Sequence, residues 1–213
     1  MVKVTILSDN EVAKKHMKAE WGFAALVETG KNAILFDTGA TPVVLTDNMK
    51  ELDISLSSVT EVFISHNHWD HVGGLQEILR QKNLRTYVPY NWEGTGTEKD
   101  IVRVKEAVEI HKSVYSTGTL GDIEQSLVIK TVKGTVIIAG CSHSGVKNIL
   151  EAASVYGKPY ALIGGLHDFN EFKALEPLKY VCATHCTKFR NEIKEMYPDK
   201  YLEGGSGRVI KIS

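Results

Sequence analysis

The segment SHNHWDH (residues 65–71) constrains this chain more than any other: four metal-ligating side chains, His66, His68, Asp70 and His71, fall within six positions. They follow the short apolar run EVFIS (61–65), which reads as a strand. A helix would not present His66 and His68 on one face. On a loop leaving a strand, their spacing lets two imidazoles reach one metal while Asp70 and His71 reach a neighbour. A lone pair of histidines two apart is about as often a surface feature as a site, but four ligand types in this setting point to a metal centre. Gly73-Gly74 is expected to make a tight turn into the next helix. Asn67 tolerates left-handed backbone, and Trp69 is placed either to wall a pocket or to join the core.

Three further histidines stand in one recurring context. His143 follows VIIAG, His167 follows ALIGG, and His185 follows YVCAT. Each comes just after an expected strand, where loops gather at one edge of a sheet. Singly, each reads as a satisfied structural histidine, and the recurrence is what makes them ligand candidates. His16 and His111 lack that context and are read as surface residues. Asp37, in FDTG, ends a strand and reads equally as a turn cap.

The surrounding pattern supplies strands over 2–7, 23–28 and 33–36, with a hairpin turn at 29–32. Residues 42–52 begin with a proline suited to a first helical turn and continue with helical spacing. A helix over 73–81 and a strand over 84–89 follow, then a polar, Gly-rich loop over 90–100. Further strands run to 140, the last two forming a hairpin at Lys133-Gly134. Helices are expected over 145–156 and 171–178, strands over 160–163 and 180–184, and a closing strand in RVIKIS. Two strand-rich blocks, each with helices, suggest an α/β chain of two sheets packed face to face with helices outside. No linker divides residues 1–213, so one domain is expected.

Composition narrows the function. A hydrophobic fraction of 43% and a charged fraction of 24% exclude a disordered chain. The net charge of −1 gives no general attraction to nucleic acid or anionic membrane. The N-terminal MVKVTILSDN lacks a signal-peptide pattern, and no apolar run approaches the roughly 20 residues that span a bilayer. Three cysteines, Cys141, Cys182 and Cys186, are expected to be reduced, which suits a cytoplasmic protein. Packing is the expected role of the CxxxC pair Cys182 and Cys186, and the histidine surplus sets all three aside as ligands.

HNHWDH matches the HxHxDH motif of the metallo-β-lactamase superfamily, and FDTG, GCSHSG and ATHC occur in that family's order. ILSDN, EWGFAALVETG, IEQSLVIKT and GGLHD resemble, more narrowly, the subgroup containing dihydropterin–ribofuranosylaminobenzene phosphate synthases and many metal-dependent hydrolases. The resemblance implies a four-layer αββα sandwich of two mixed sheets. It implies two divalent ions, zinc first, with manganese or iron as alternatives. His66, His68 and His143 would hold one ion, and Asp70, His71 and His185 the other, with Asp37 accepting hydrogen bonds that orient ligands. Most of the superfamily has a bridging Asp between the positions of His143 and His185. Here GGLHD stands in that place, with His167 as the expected ligand and Asp168 as its competitor. The implied activity is hydrolysis of a small, anionic ester or phosphoester by a metal-bound hydroxide, with Asp70 orienting the nucleophile. The alternatives are a pterin-diphosphate-using transferase and a non-catalytic metal-binding regulator.

Overall fold

The computed structural model describes residues 1–94, 96 and 99–213, so the loop expected over 90–100 lies partly outside the described residues. The strands are β1 (Val2–Ser8), β2 (Ala24–Thr29), β3 (Asn32–Phe36), β4 (Glu61–Phe63), β5 (Arg85–Pro89), β6 (Ile101–Val104), β7 (Val108–His111), β8 (Val114–Ser116), β9 (Leu127–Thr131), β10 (Gly134–Ala139), β11 (Pro159–Gly165), β12 (Tyr180–Thr184) and β13 (Val209–Ile212). One sheet has the order β13-β1-β2-β3-β4-β5-β6 and the other β12-β11-β10-β9-β8-β7. Both are mixed. β3 to β6 run parallel to one another, as do β10 to β12, while the remaining neighbours pair antiparallel.

Strand periodicity explains the layering. Side chains alternate between faces, so a strand covered on both faces must be apolar throughout. In β3, Ile34 and Phe36 enter the core between the sheets while Leu35 faces outward. In β10, Val136 and Ile138 face inward while Ile137 and Ala139 face outward. The outward face of the first sheet is covered by helices α1 (Pro42–Glu51) and α3 (Leu75–Gln81), through Leu45, Met49, Leu75 and Ile78. The outward face of the second is covered by α4 (Val146–Ser154) and α5 (Arg190–Met196), through Ile149, Ala153 and Ile193. The result is the expected αββα order. In the middle core Phe23 meets Phe36 edge-on, with ring centroids 6.1 Å apart, and Phe36 stacks on Phe63 at 5.5 Å; each buried ring contributes about 1.5–3 kcal/mol.

One local reading changes. The helix expected over 171–178 is only a 3₁₀ turn, Phe172–Leu175, which stops short of Pro177, a residue with no N–H to donate to a further helical turn, while Glu176 before it keeps helical backbone (φ −55°, ψ −40°). Gly73 and Gly74 make the expected turn into α3, with negative φ of −60° and −84°. They also permit close approach: a Cβ at Gly73 would lie 1.9 Å from the Ala40 carbonyl oxygen, and one at Gly74 2.5 Å from that of Thr38. Among the described residues no helix is long and apolar enough to cross a membrane.

Candidate metal centre

The chemistry-bearing residues collect where β1, β3, β4, β10, β11 and β12 end, at one edge of the packed sheets. Asp9 and Asn10 follow β1, Asp37 follows β3, and Ser65 and His66 follow β4. Cys141 and His143 follow β10, His167 follows β11, and His185 follows β12. These strands share a direction, so their carboxyl ends meet, as in other sheets that bind ligands beyond the strand ends. Asp70 and His71 lie in a one-turn helix, α2 (Trp69–Val72), for which His68 is the N-terminal cap residue. His66 and His68 therefore sit on extended chain and the last two motif residues on helix. Left-handed backbone at the site belongs to Asp37, Ser142, His167 and His185 (φ 47–60°), and Asn67 is not among the positive-φ residues.

Hydrogen bonds determine which nitrogen of three of the imidazoles faces inward. The Ser65 backbone N–H and hydroxyl both donate to the Asp37 carboxylate, each at 2.7 Å. The hydroxyl hydrogen is thereby committed, so the 2.9 Å contact between Ser65 Oγ and His66 Nδ1 has the ring as donor. His66 Nε2 is left with its lone pair toward the site. His71 Nδ1 donates to Asp37 at 2.8 Å, leaving Nε2 inward. His185 Nδ1 donates to Asn10 Oδ1 at 3.1 Å, and the Asn10 amide nitrogen donates to the His185 carbonyl at 3.1 Å. Asp9 accepts from the His185 backbone at 3.1 Å and from the Thr184 hydroxyl. The loop carrying His143 is held by Glu124, which accepts from the Ser144 N–H and hydroxyl at 2.7 Å each. Gln125 donates through its side chain to the Ile64 carbonyl at 2.9 Å and ties the same segment to the end of β4.

The electrostatics suit a cation. Burial, reinforced by neighbouring imidazoles, holds His66 and His71 well below the ordinary histidine range. Burial and the proximity of His68 and His167 lower His143 to about 4. These rings are neutral at pH 7 with lone pairs to give. Burial acts to raise Asp70, but the nearness of His185, whose Nε2 lies 3.4 Å from the carboxylate, and of His71 outweighs it, and the carboxyl stays well below its usual range. Burial raises Asp37 despite its bonds from Ser65.

Donor atoms converge in compact groups, each within 4.8 Å: His66, His68 and His143; Asp70, His71 and His185; His66, His71 and Cys141; and Cys141, His185 and Cys186. The buried Nε2 atoms of His143 and His185 have no hydrogen-bond partner. Buried ring nitrogens without a partner are costly unless something fills the space between them, and a divalent ion fits both donor set and need. His167 stands beside this set, its ring centroid 4.8 Å from that of His143. Its side chain is 48% exposed and that of Asp168 is 81% exposed, and neither belongs to a donor group. Cys182 is a core residue between the sheets. Cys141, set aside on the sequence, lies with its Sγ 3.1 Å from His71 Nε2. Its signal was its place beside His143 in GCSHSG. Asp9, Asn10, Glu124 and Gln125 were also missed as positioning residues, although ILSDN and IEQS contain them. Trp21 and Trp69, both largely exposed, line a cleft of about 400 Å³ that opens onto His68, Asp70 and His143.

A family model described as the metallo-beta-lactamase superfamily matches residues 22–185. Among curated proteins, the 7,8-dihydropterin-6-methyl-4-(beta-D-ribofuranosyl)-aminobenzene-5'-phosphate synthase of Methanocaldococcus jannaschii is 26% identical over 265 aligned residues, covering 91% of this chain and 90% of that protein. A crystal structure of a metal-dependent hydrolase of the β-lactamase superfamily superposes with a TM-score of 0.81 at 25% identity, covering 100% of both chains. A diphosphatase from the PhnP family shares the fold, with a TM-score of 0.63 at 14% identity over 100% of this chain and 98% of its own.

Proposed function

This chain belongs to the metallo-β-lactamase superfamily, and from that premise we propose that it is a two-metal hydrolase acting on a small, anionic phosphoester or ester. The observation that carries the reading is the pair of facing donor triads, with two buried imidazole nitrogens left unpartnered between them. His66, His68 and His143 hold one ion; Asp70, His71 and His185 hold the other, with zinc the first choice and manganese or iron next. When bound, such ions supply Lewis acidity toward a phosphoryl or carbonyl oxygen and a nucleophile at a pH near about 7. Asp37 keeps His71 in the tautomer that offers Nε2, and Ser65 does the same for His66. Asp70, ionised and with its carboxylate 3.4 Å from His185 Nε2, orients the nucleophile and receives its proton. His143 and His167 also border a second cleft of about 460 Å³ beside the first, a size that suits a small molecule. The core shared by both sheets supports reading residues 1–213 as one domain.

A second reading, group transfer from a diphosphate, is favoured by the near full-length match to the Methanocaldococcus synthase. The same platform serves either reaction, because an ion pair can stabilise a leaving diphosphate as well as an attacked ester. The test is elemental analysis of protein purified without added metal, beside a screen of phosphodiester, ester and pterin diphosphate substrates. About two equivalents of metal and turnover of an ester or phosphodiester are expected, and His66→Ala should lose most of both. Metal-free protein that takes up no ion, or a His66→Ala variant that retains both, would overturn the proposal. Turnover confined to the diphosphate with an amine acceptor would establish the second reading.

A further inference from the structure

We infer that Cys141 is a ligand shared by the two metal positions, its sulfur lying between the triads where a histidine was expected. The inference rests on the reading of those triads as metal ligands. Cys141 Sγ belongs to one donor group with His66 and His71 and to another with His185 and Cys186. It therefore reaches a member of the first triad and two members of the second. It is buried and stands 3.1 Å from His71 Nε2. Independently, His185 Nε2 is buried without a hydrogen-bond partner and faces the same space.

The backbone is built to bring this sulfur inward. β10 ends at Ala139, and Gly140 carries the chain past the end of β4. A Cβ at Gly140 would lie 2.2 Å from Ser65 Oγ and 3.1 Å from His66 Nδ1. Only a residue without a Cβ lets these two strand ends press together, and that contact sets Cys141 beside His66 and His71. Gly165 permits the matching approach from β11, since a Cβ there would lie 2.7 Å from Cys186 Sγ and 3.3 Å from the Cys141 Cα.

The chemistry favours sulfur over the alternatives. A thiolate has several lone pairs and can bind two cations at once, whereas an imidazole nitrogen has one. His167 cannot bridge by that criterion, and Asp168 is turned to solvent. Charge gives the same answer. Two divalent ions bring four positive charges, and Asp70 is the sole carboxylate in the triads. The Cys141 thiolate supplies a second anion, its proton leaving to solvent as the metal binds. Cys186 shares a group only with Cys141 and His185, so it reaches one metal position at most.

Loading the purified protein with cobalt(II) chloride tests this directly, because thiolate ligation produces a near-ultraviolet charge-transfer band. The band is expected in the unaltered protein and in Cys186→Ser. It is expected to vanish in Cys141→Ser, with bound cobalt falling from two equivalents toward one. X-ray absorption of the unaltered, zinc-loaded protein, which needs no variant, should find sulfur at about 2.3 Å from the metal. Two bound metals with neither band nor sulfur would overturn the assignment while leaving the triads intact. A band that survives in Cys141→Ser but is lost in Cys186→Ser would also overturn it. A protein that binds no cobalt or zinc would remove the underlying reading together with this one.

Discussion

Asp37→Ala isolates the group that orients the centre without touching a metal. The side chain is buried and accepts three hydrogen bonds, from the Ser65 N–H, the Ser65 hydroxyl and His71 Nδ1, at 2.7, 2.7 and 2.8 Å. Truncation leaves three buried donors without partners, at roughly 1–3 kcal/mol each. Partial reorientation of the Ser65 hydroxyl recovers some of this. Alanine also has to adopt φ near 54°, which costs about another 1 kcal/mol. The sum worked from these contacts is about 3–6 kcal/mol of stability. Free rotation of His71 should weaken metal binding about 10–100-fold. Urea denaturation of the metal-free protein reads the first quantity, and competition with a chromophoric chelator reads the second. Asp37→Asn, which tolerates the backbone and keeps an acceptor, should fall between alanine and the unaltered protein. A loss below about 1 kcal/mol in Asp37→Ala, with affinity changed less than about threefold, would refute the assignment of these hydrogen bonds.

Chelation should lower the melting temperature. Zinc restored at about 100 times its dissociation constant contributes about 2.7 kcal/mol, or about 5–10 °C for a chain of this size, and an unchanged melting temperature would contradict a structural demand for the ions. Gly73→Ala places a methyl group 1.9 Å from the Ala40 carbonyl oxygen and should cost about 1–3 kcal/mol or more while displacing α2 and with it Asp70 and His71; unchanged stability and metal content would show that the approach is relaxed. In metal-free protein the His143 ring should titrate near 4, so NMR at pH 5.5 should find it about 97% neutral. Its folded value lies below the unfolded 6.5, so the unfolded chain binds this proton first and the group withdraws stability as pH falls from about 6.5 to about 4; a ring titrating near 6.5 would remove the burial argument.

The layers and the main ligand candidates were legible in the sequence because both depend on local order. Apolar runs with period two specify strands buried on two faces, and a dense run of ligand types after such a strand needs no partner from elsewhere to be noticed. His143 and His185 were legible for the same reason, since each follows a strand whose end defines the sheet edge. The reach of a side chain across that edge was not legible. Asn10 orients His185 from 175 positions away, and Asp37 orients His71 from 34 positions away; no local period encodes such a meeting. Gly73 and Gly74 read in sequence as turn residues and do form the turn, but only packing against Ala40 and Thr38 shows that missing Cβ atoms are what the fold requires there. The choice among His167, Asp168 and Cys141 is of the same kind. All three sit just after strand ends, but the approach of β10 to β4 at Gly140 carries Cys141 inward, while His167 stands half exposed on the wall of the same cleft and Asp168 faces solvent. Residue type and spacing determine what chemistry is available; the packing of one strand end against another decides which side chains reach it.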